Sequence, residues 1–182
     1  MKTRIIQIAG NNGVGKTYWL RRILDNTEII EEISLTPRSK PLALIGRNNG
    51  KLIGILGRHT SGGDAIKSIK MIVEIIERLI GKVDIIVCEG LMASHNWWLL
   101  VPFYQRGSDV CCIFINEPPE VSIKNVEARR KKPLTEKQKQ RILERYKNLN
   151  SCHKKRKRVI PCIEVDRFTV GTILEGLGLC VR

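Results

Sequence analysis

No run in this 182-residue chain approaches the roughly 20 consecutive apolar residues that a bilayer-spanning helix needs, so no membrane partner is expected. The six cysteines include no Cys-x-x-Cys pair, which argues against a zinc site or a local redox pair. Cys88, Cys111 and Cys112 sit in apolar runs and read as small buried hydrophobes. There is no internal repeat and no long linker, and the length suits one domain over 1–182. The N-terminal run MKTRIIQIAG leads directly into a Gly-rich motif. Cleavage there would remove the first strand, so no signal peptide is expected and the expected location is the cytoplasm. Acidic residues are scarce, with 18 Asp and Glu against 32 Lys and Arg, a net charge of +14.

The Gly-rich motif is Gly10-Asn11-Asn12-Gly13-Val14-Gly15-Lys16-Thr17, which fits G-x-x-x-x-G-K-[ST]. Ile5 to Ala9 before it reads as a buried strand, and YWLRRIL after it has helical apolar spacing. Strand, Gly-rich loop and helix N-terminus together cradle an anion with backbone N–H groups and the helix dipole. Lys16 is expected to reach the β- and γ-phosphates of ATP, and Thr17 to hold Mg²⁺. The alternative, a Gly-rich turn before an ordinary helix, leaves the agreement of eight positions and both flanks unexplained.

The positive charge is concentrated. Lys124 to Arg158 contains 15 Lys and Arg and 3 Asp and Glu, a net +12. Such a patch is the footprint of a polyanion, and nucleic acid is the expected partner. A lid that grips only ATP needs few cations, and a nuclear import signal at KKRKR (154–158) is a further reading.

Alternating apolar strands and helices imply a mainly parallel sheet covered on both faces, an α/β fold. In such a sheet the ligand lies off the carboxyl ends of the strands. Strands are expected at Arg4–Ala9, Val83–Cys88, Asp109–Ile115 and Val159–Val165, with a hairpin turning at Asn48-Asn49-Gly50. The type of Glu28 to Ile33 stays open. A long amphipathic helix is expected to open from the loop GRHTSGGDA, and a final one over Val170–Leu177.

Glu89 ends an apolar strand at the ligand edge, where a carboxylate can hold Mg²⁺ beside Thr17. Asp84 begins the same strand and so lies at the far edge. Asp64 is a candidate base for a hydroxyl acceptor; equally, Asp64 or Ser61 caps the following helix. Arg58 is a candidate phosphate ligand, and His59 a bystander. Arg129, Arg130, Lys131 and Lys132 precede Pro133 and a second basic helix over Leu134–Leu149 capped by Thr135. This pattern suggests a lid over about 124–150 whose arginines close on the transferring phosphate. Trp97 and Trp98, with Phe103 and Tyr104, either stack on a base or fill the core.

Together GNNGVGKT, the strand ending DIIVCEG, and CCIFIN followed by basic helices resemble P-loop nucleoside and nucleotide kinases of the thymidylate-kinase-like type. The resemblance covers most of the chain. LGRHTSGGDAIKSI with VDIIVCEGLMAS resembles more narrowly the phage DNA kinases that phosphorylate 5-hydroxymethyl-deoxyuridine. Thymidylate kinases carry Asp-Arg where this chain has Cys88-Glu89-Gly90, which argues against free dTMP as substrate. The resemblance implies a three-layer P-loop kinase fold and transfer of the ATP γ-phosphoryl group to the hydroxymethyl of 5-hydroxymethyluracil in DNA. Catalysis would rest on Lys16, Asp64, Arg129 and Arg130, metal binding on Thr17 and Glu89, and substrate contacts on Arg58, Trp97 and Trp98. Alternatives are a kinase for free nucleosides, nucleotides or polynucleotide 5′ ends, and a nucleic-acid-dependent ATPase. No Asp-Glu pair follows a strand to activate water for the last.

Overall fold

A computed structural model describes residues 2–36, 40–57, 66 and 68–181. Among these, seven strands and seven helices form one mainly parallel sheet with helices on both faces. The strands are β1 (Arg4–Gly10), β2 (Glu28–Ile33), β3 (Ala43–Asn48), β4 (Lys51–Leu56), β5 (Ile85–Glu89), β6 (Asp109–Ile115) and β7 (Cys162–Val165). Their spatial order is β2-β3-β4-β5-β1-β6-β7. Strands β4, β5, β1, β6 and β7 pair in parallel, while β3 runs antiparallel to both of its neighbours. The stretch left open in sequence, Glu28–Ile33, is the edge strand β2, with an irregular register between Ile29 and Glu31.

The β3–β4 hairpin turns where expected. Asn48 pairs with Lys51, and the two residues between them, Asn49 (φ 49°) and Gly50 (φ 74°), both have positive φ. Asn-Gly tolerates that conformation, and its twist matches the flanking strands.

Helices α1 (Lys16–Asp25) and α7 (Val170–Gly176) cover one face of the sheet. Leu20, Ile23 and Leu24 of α1 and Val170 and Leu174 of α7 pack there on Ile6, Ile8, Ile85, Val87 and Ile113. The other face takes α2 (Ile69–Leu79), the short α3 (Leu91–His95) and α4 (Val101–Gln105), and the end of α6 (Glu136–Arg156). Alternate residues of each strand feed opposite faces, which is why the central strands are apolar throughout. Gln7 is the exception on β1. It is fully buried, and its Nε2 donates to the Ala93 carbonyl at 2.8 Å, pinning α3 over the sheet.

Three boundaries differ from expectation. Helix α2 starts at Ile69, with Ser68 as its cap (Met71 N–H to Ser68 Oγ, 3.1 Å). Strand β7 begins at Cys162, not Val159. Helix α6 has 21 residues and runs on past Leu149 to Arg156, because Leu149, His153 and Arg156 continue its buried face at helical spacing. Its start is as expected, a capping box between Thr135 and Gln138. With α5 (Pro119–Arg130) it forms a helical hairpin around Val126, Leu134 and Ile142, and Glu127 accepts the Leu134 N–H at 2.9 Å across the turn.

Burial pushes the thiols of Cys88 up to about 12 and Cys111 up to about 11, so both are inert small hydrophobes. Among the described residues, no helix is long and apolar enough to cross a membrane.

Candidate nucleotide-binding site

The Gly-rich loop joins the carboxyl end of β1 to the first residue of α1, Lys16. Its shape is held from inside and from α5. Lys16, only 7% exposed, folds back so that Nζ donates to the Asn11 carbonyl at 2.7 Å. The Asn11 side-chain oxygen accepts the Asn12 N–H at 2.8 Å. Asn125 on α5 donates from Nδ2 to the Gly13 carbonyl at 2.7 Å. Gly13 has φ 78°, and a Cβ there would lie 3.0 Å from the Ser122 carbonyl oxygen, so both backbone and space require glycine. At Gly15, the N-cap of α1, a Cβ would meet nothing within 4 Å. That side of the loop faces open space, as a phosphate cradle must.

Parallel pairing sets Glu89 beside Ile8 at the ends of β5 and β1. This brings its carboxylate under the start of α1, where the Thr17 hydroxyl donates to Glu89 Oε1 at 3.4 Å. Glu89 is 4% exposed. A buried carboxylate and a hydroxyl side by side are a hard-oxygen donor set that suits Mg²⁺, which keeps water in its remaining positions. Above them opens a cavity of about 680 Å³ lined by Asn12, Gly13, Gly15, Lys16, Thr17, Tyr18, Arg21, Glu89, Leu91, Asn125 and Arg129.

Of the candidates from sequence, the structure brings Lys16, Thr17, Glu89 and Arg129 to one cavity. Arg130, next to Arg129, is exposed and absent from its wall. Trp97 and Trp98 do not line it either. Trp97 packs against the core, edge-on to the half-exposed Trp98 at 5.0 Å, and Phe103 is a core residue, 1% exposed. Beyond Leu91 the segment lies over the apolar face of the sheet, where Trp97 and Phe103 pack, while Trp98 and Tyr104 stay exposed. Arg58, His59, Ser61 and Asp64 lie outside the described residues. Asp84 is at the far edge as expected, accepting the Leu52 N–H at 2.8 Å.

Sequence reasoning missed Arg21, Tyr18, Leu91 and Asn125. Arg21 lies one helical turn beyond Thr17 on the same face, a signal that was present. Asn125 had none, because its partner Gly13 is distant in sequence.

A second hollow of about 430 Å³ adjoins the loop between Tyr18, Trp19 and the β7–α7 connection. Trp19 Nε1 donates to the Arg167 carbonyl at 3.2 Å, and the buried Glu117 accepts the Arg167 N–H at 2.8 Å. Asp166 accepts the N–H groups of Thr169 (2.9 Å) and Phe168 (2.8 Å), bonds that hold its carboxyl below its ordinary range. These contacts fix the loop that presents Phe168, 75% exposed, with the Arg167 guanidinium 4.7 Å over its ring.

The basic run 154–158 does not stand beyond α6 as a free cluster. Its middle member, Arg156, is 1% exposed. It donates from Nη2 to the carbonyls of Ser94 (2.7 Å) and Asn96 (3.3 Å), and from Nη1 to Cys112 Sγ at 3.6 Å. Lys154, Lys155, Lys157 and Arg158 are exposed.

A strand, a Gly-rich loop closed by Lys and Thr, and a carboxylate at the end of the neighbouring parallel strand define a P-loop nucleotide-binding architecture. The chain is similar to the 5-hmdU DNA kinase of Pseudomonas phage PaMx11, 29% identical over 133 residues that span 71% of this chain and 70% of that one. Among solved structures, the tunicamycin resistance protein of Deinococcus radiodurans aligns with 98% of this chain and 97% of its own at a TM-score of 0.49 and 14% identity. No family model matches the chain.

Proposed function

We propose that this chain is an ATP-dependent kinase that transfers the γ-phosphoryl group to the hydroxymethyl of 5-hydroxymethyluracil in DNA. The observation that carries the reading is the Thr17–Glu89 pair at 3.4 Å on the floor of the Lys16 cavity. Two hard oxygens suited to a metal ion lie in one cavity with a cation suited to phosphate, and this supports the reading. The similarity to a 5-hmdU DNA kinase supports the acceptor, and the net +12 of Lys124 to Arg158 supports a polymeric one.

Lys16 and the loop N–H groups bind the β- and γ-phosphates. Thr17 and Glu89 would hold Mg²⁺, which when bound neutralises developing charge on the phosphates. The hollow lined by Trp19, Arg167 and Phe168 suits the adenine ring. The acceptor hydroxyl oxygen forms the new bond to the γ-phosphorus, and the bond to the bridging oxygen breaks as ADP leaves with that electron pair. The hydroxyl proton passes to a carboxylate, assigned to Asp64, with Glu89 as the other candidate. Arg129 stabilises charge on the moving phosphoryl.

The test is incubation with γ-labelled ATP and a panel of acceptors: hydroxymethyluracil-containing DNA, ordinary DNA with 5′-hydroxyl ends, and free nucleosides and nucleotides. Label in the first alone is expected. Label at 5′ ends or in free nucleotides alone assigns the corresponding kinase, and phosphate release on DNA without label transfer makes the chain an ATPase switch.

A further inference from the structure

We infer that one flank of α6, carrying Lys137, Arg141 and Arg145, is the track along which the phosphodiester backbone of the DNA acceptor reaches the site. This rests on the DNA-kinase reading above and narrows its basic segment to one line of side chains.

The helix itself sorts its cations. Residues four, seven or eleven apart lie on the same side of an α-helix of 3.6 residues per turn. Lys137, Arg141, Arg145 and Cys152 are spaced in this way. The structure fixes which way that flank faces, because Cys152 Sγ donates to the His95 carbonyl at 3.1 Å at the end of α3. Arg156, one further turn along, grips the carbonyls of Ser94 on that helix and of Asn96 just after it. Helix α3 begins at Leu91, just after Glu89, and Leu91 lines the nucleotide cavity. The α3 side of α6 is therefore the side of the site.

The charges around His95 agree with this placement. Its imidazole is held below its ordinary range by burial and then by the positive charges of Arg145, Lys16 and Arg156. The P-loop lysine and the last cation of the flank thus act on one point. All three flank cations are predominantly solvent-facing, with Lys137, Arg141 and Arg145 exposed. From Lys137 to Arg145 the track spans about 12 Å at ~1.5 Å per residue, which matches roughly three to four nucleotide steps of ~3.4 Å rise. A mononucleotide has no use for charges strung out over that length; a strand whose reacting base enters beside Glu89 does.

The opposite flank supplies the control. Lys147 sits two positions from Arg145, about 200° round the helix, and Lys154 lies two turns further along on that same far side. Both are exposed, so neutralising them removes equal charge without touching the track.

The experiment measures duplex and single-stranded DNA affinity by fluorescence anisotropy across a salt series, for the full chain and two double variants. Arg141→Gln/Arg145→Gln is expected to weaken binding about tenfold and to reduce the log–log salt slope by about 2, one unit per lost phosphate contact. Lys147→Gln/Lys154→Gln is expected to change the slope by less than about 1. Arg141→Lys/Arg145→Lys keeps the charge and should keep the slope, which separates lost contacts from a misfolded helix. Equal weakening by the two Gln doubles would show diffuse attraction and overturn the track, as would wild-type binding by Arg141→Gln/Arg145→Gln. The same proteins are assayed for label transfer to hydroxymethyluracil DNA. Failure of the wild type to label it overturns the kinase reading, whereas labelling with an unchanged KM in Arg141→Gln/Arg145→Gln overturns the track alone.

Discussion

Arg156 and Ser94 are bound by a 2.7 Å hydrogen bond from a buried guanidinium to a backbone carbonyl, across 62 positions of sequence. That bond joins the end of α6 to the helix that follows Glu89. It also takes one cation of the most basic stretch of the chain, Arg156, into the core, while its neighbours Lys154, Lys155, Lys157 and Arg158 stay exposed. Arg156→Met should lower stability by about 3 kcal/mol, because hydrogen bonds from a charged donor are lost and two carbonyls are left unpaired. For a domain of this size the melting temperature should fall by roughly 6–12 °C. Lys154→Ala and Lys157→Ala, one on each side of it in sequence and exposed, should leave it nearly unchanged. A melting curve for Arg156→Met that overlays the wild type would refute the structural role.

Lys16→Ala should abolish label transfer while the protein stays folded. The bond from Lys16 to the Asn11 carbonyl is local to the loop, and loss of the ammonium leaves the phosphate charge uncompensated. Loss of one such preorganised donor is worth about 10²-fold or more in turnover. Retention of more than about a tenth of the wild-type rate would contradict its role.

Asp64→Asn and Glu89→Gln separate base from metal ligand. Both are nearly isosteric. Asp64→Asn should lower turnover far more than ATP binding. Glu89→Gln should shift the Mg²⁺ concentration dependence of the reaction upward. If Asp64→Asn turns over like the wild type, proton acceptance moves to Glu89, and a pH–rate profile of Glu89→Gln decides it.

Asn125→Ala removes the 2.7 Å bond to the Gly13 carbonyl. One neutral hydrogen bond is worth about 1 kcal/mol, or roughly a fivefold change in an equilibrium. ATP affinity should therefore fall by about that factor through a looser loop, with the melting temperature only slightly lowered. Isothermal titration with a non-hydrolysable ATP analogue measures it. An unchanged affinity would mean that the loop holds its shape without α5.

His153 predicts an acid-sensitive fold. Its ring stacks on Phe114 at 3.9 Å, and burial lowers its pKa, against the opposing pull of Glu164 3.5 Å away. The unfolded chain therefore binds the proton more readily than the folded one. The stabilisation is fully present above the unfolded value of about 6.5 and is lost as the pH falls below it. Melting temperatures taken from about pH 7.5 to about pH 5.5 should drop, and His153→Gln should show a shallower drop. His95, lowered chiefly by burial as well, leaves a residual slope. Parallel slopes for variant and wild type would remove His153 from the account.

The residues themselves determined the Gly-rich-loop end of this protein. The loop from Gly10 to Thr17 is built from neighbours in sequence, and so is the Asn49-Gly50 turn; backbone preferences act over a few residues and can be read there. Apolar runs without alternation announced a covered parallel sheet, because both faces of each central strand are buried. The carboxylate of Glu89 was legible for the same reason, since a strand that ends in Glu-Gly at the ligand edge has a defined place in such a sheet. Tertiary structure alone decided what the charges and rings do. Arg156 and Lys157 are adjacent and chemically alike on paper, yet the rotation of α6 against α3 buries one and leaves the other in water. Trp97 and Phe103 go to the core because the chain after Gly90 is held over the sheet by Gln7 and Arg156, partners far away in sequence. Arg129 reaches the cavity beside the Gly-rich loop and Arg130 does not, because adjacent residues on a helix point about 100° apart and only packing chooses which one faces the cavity.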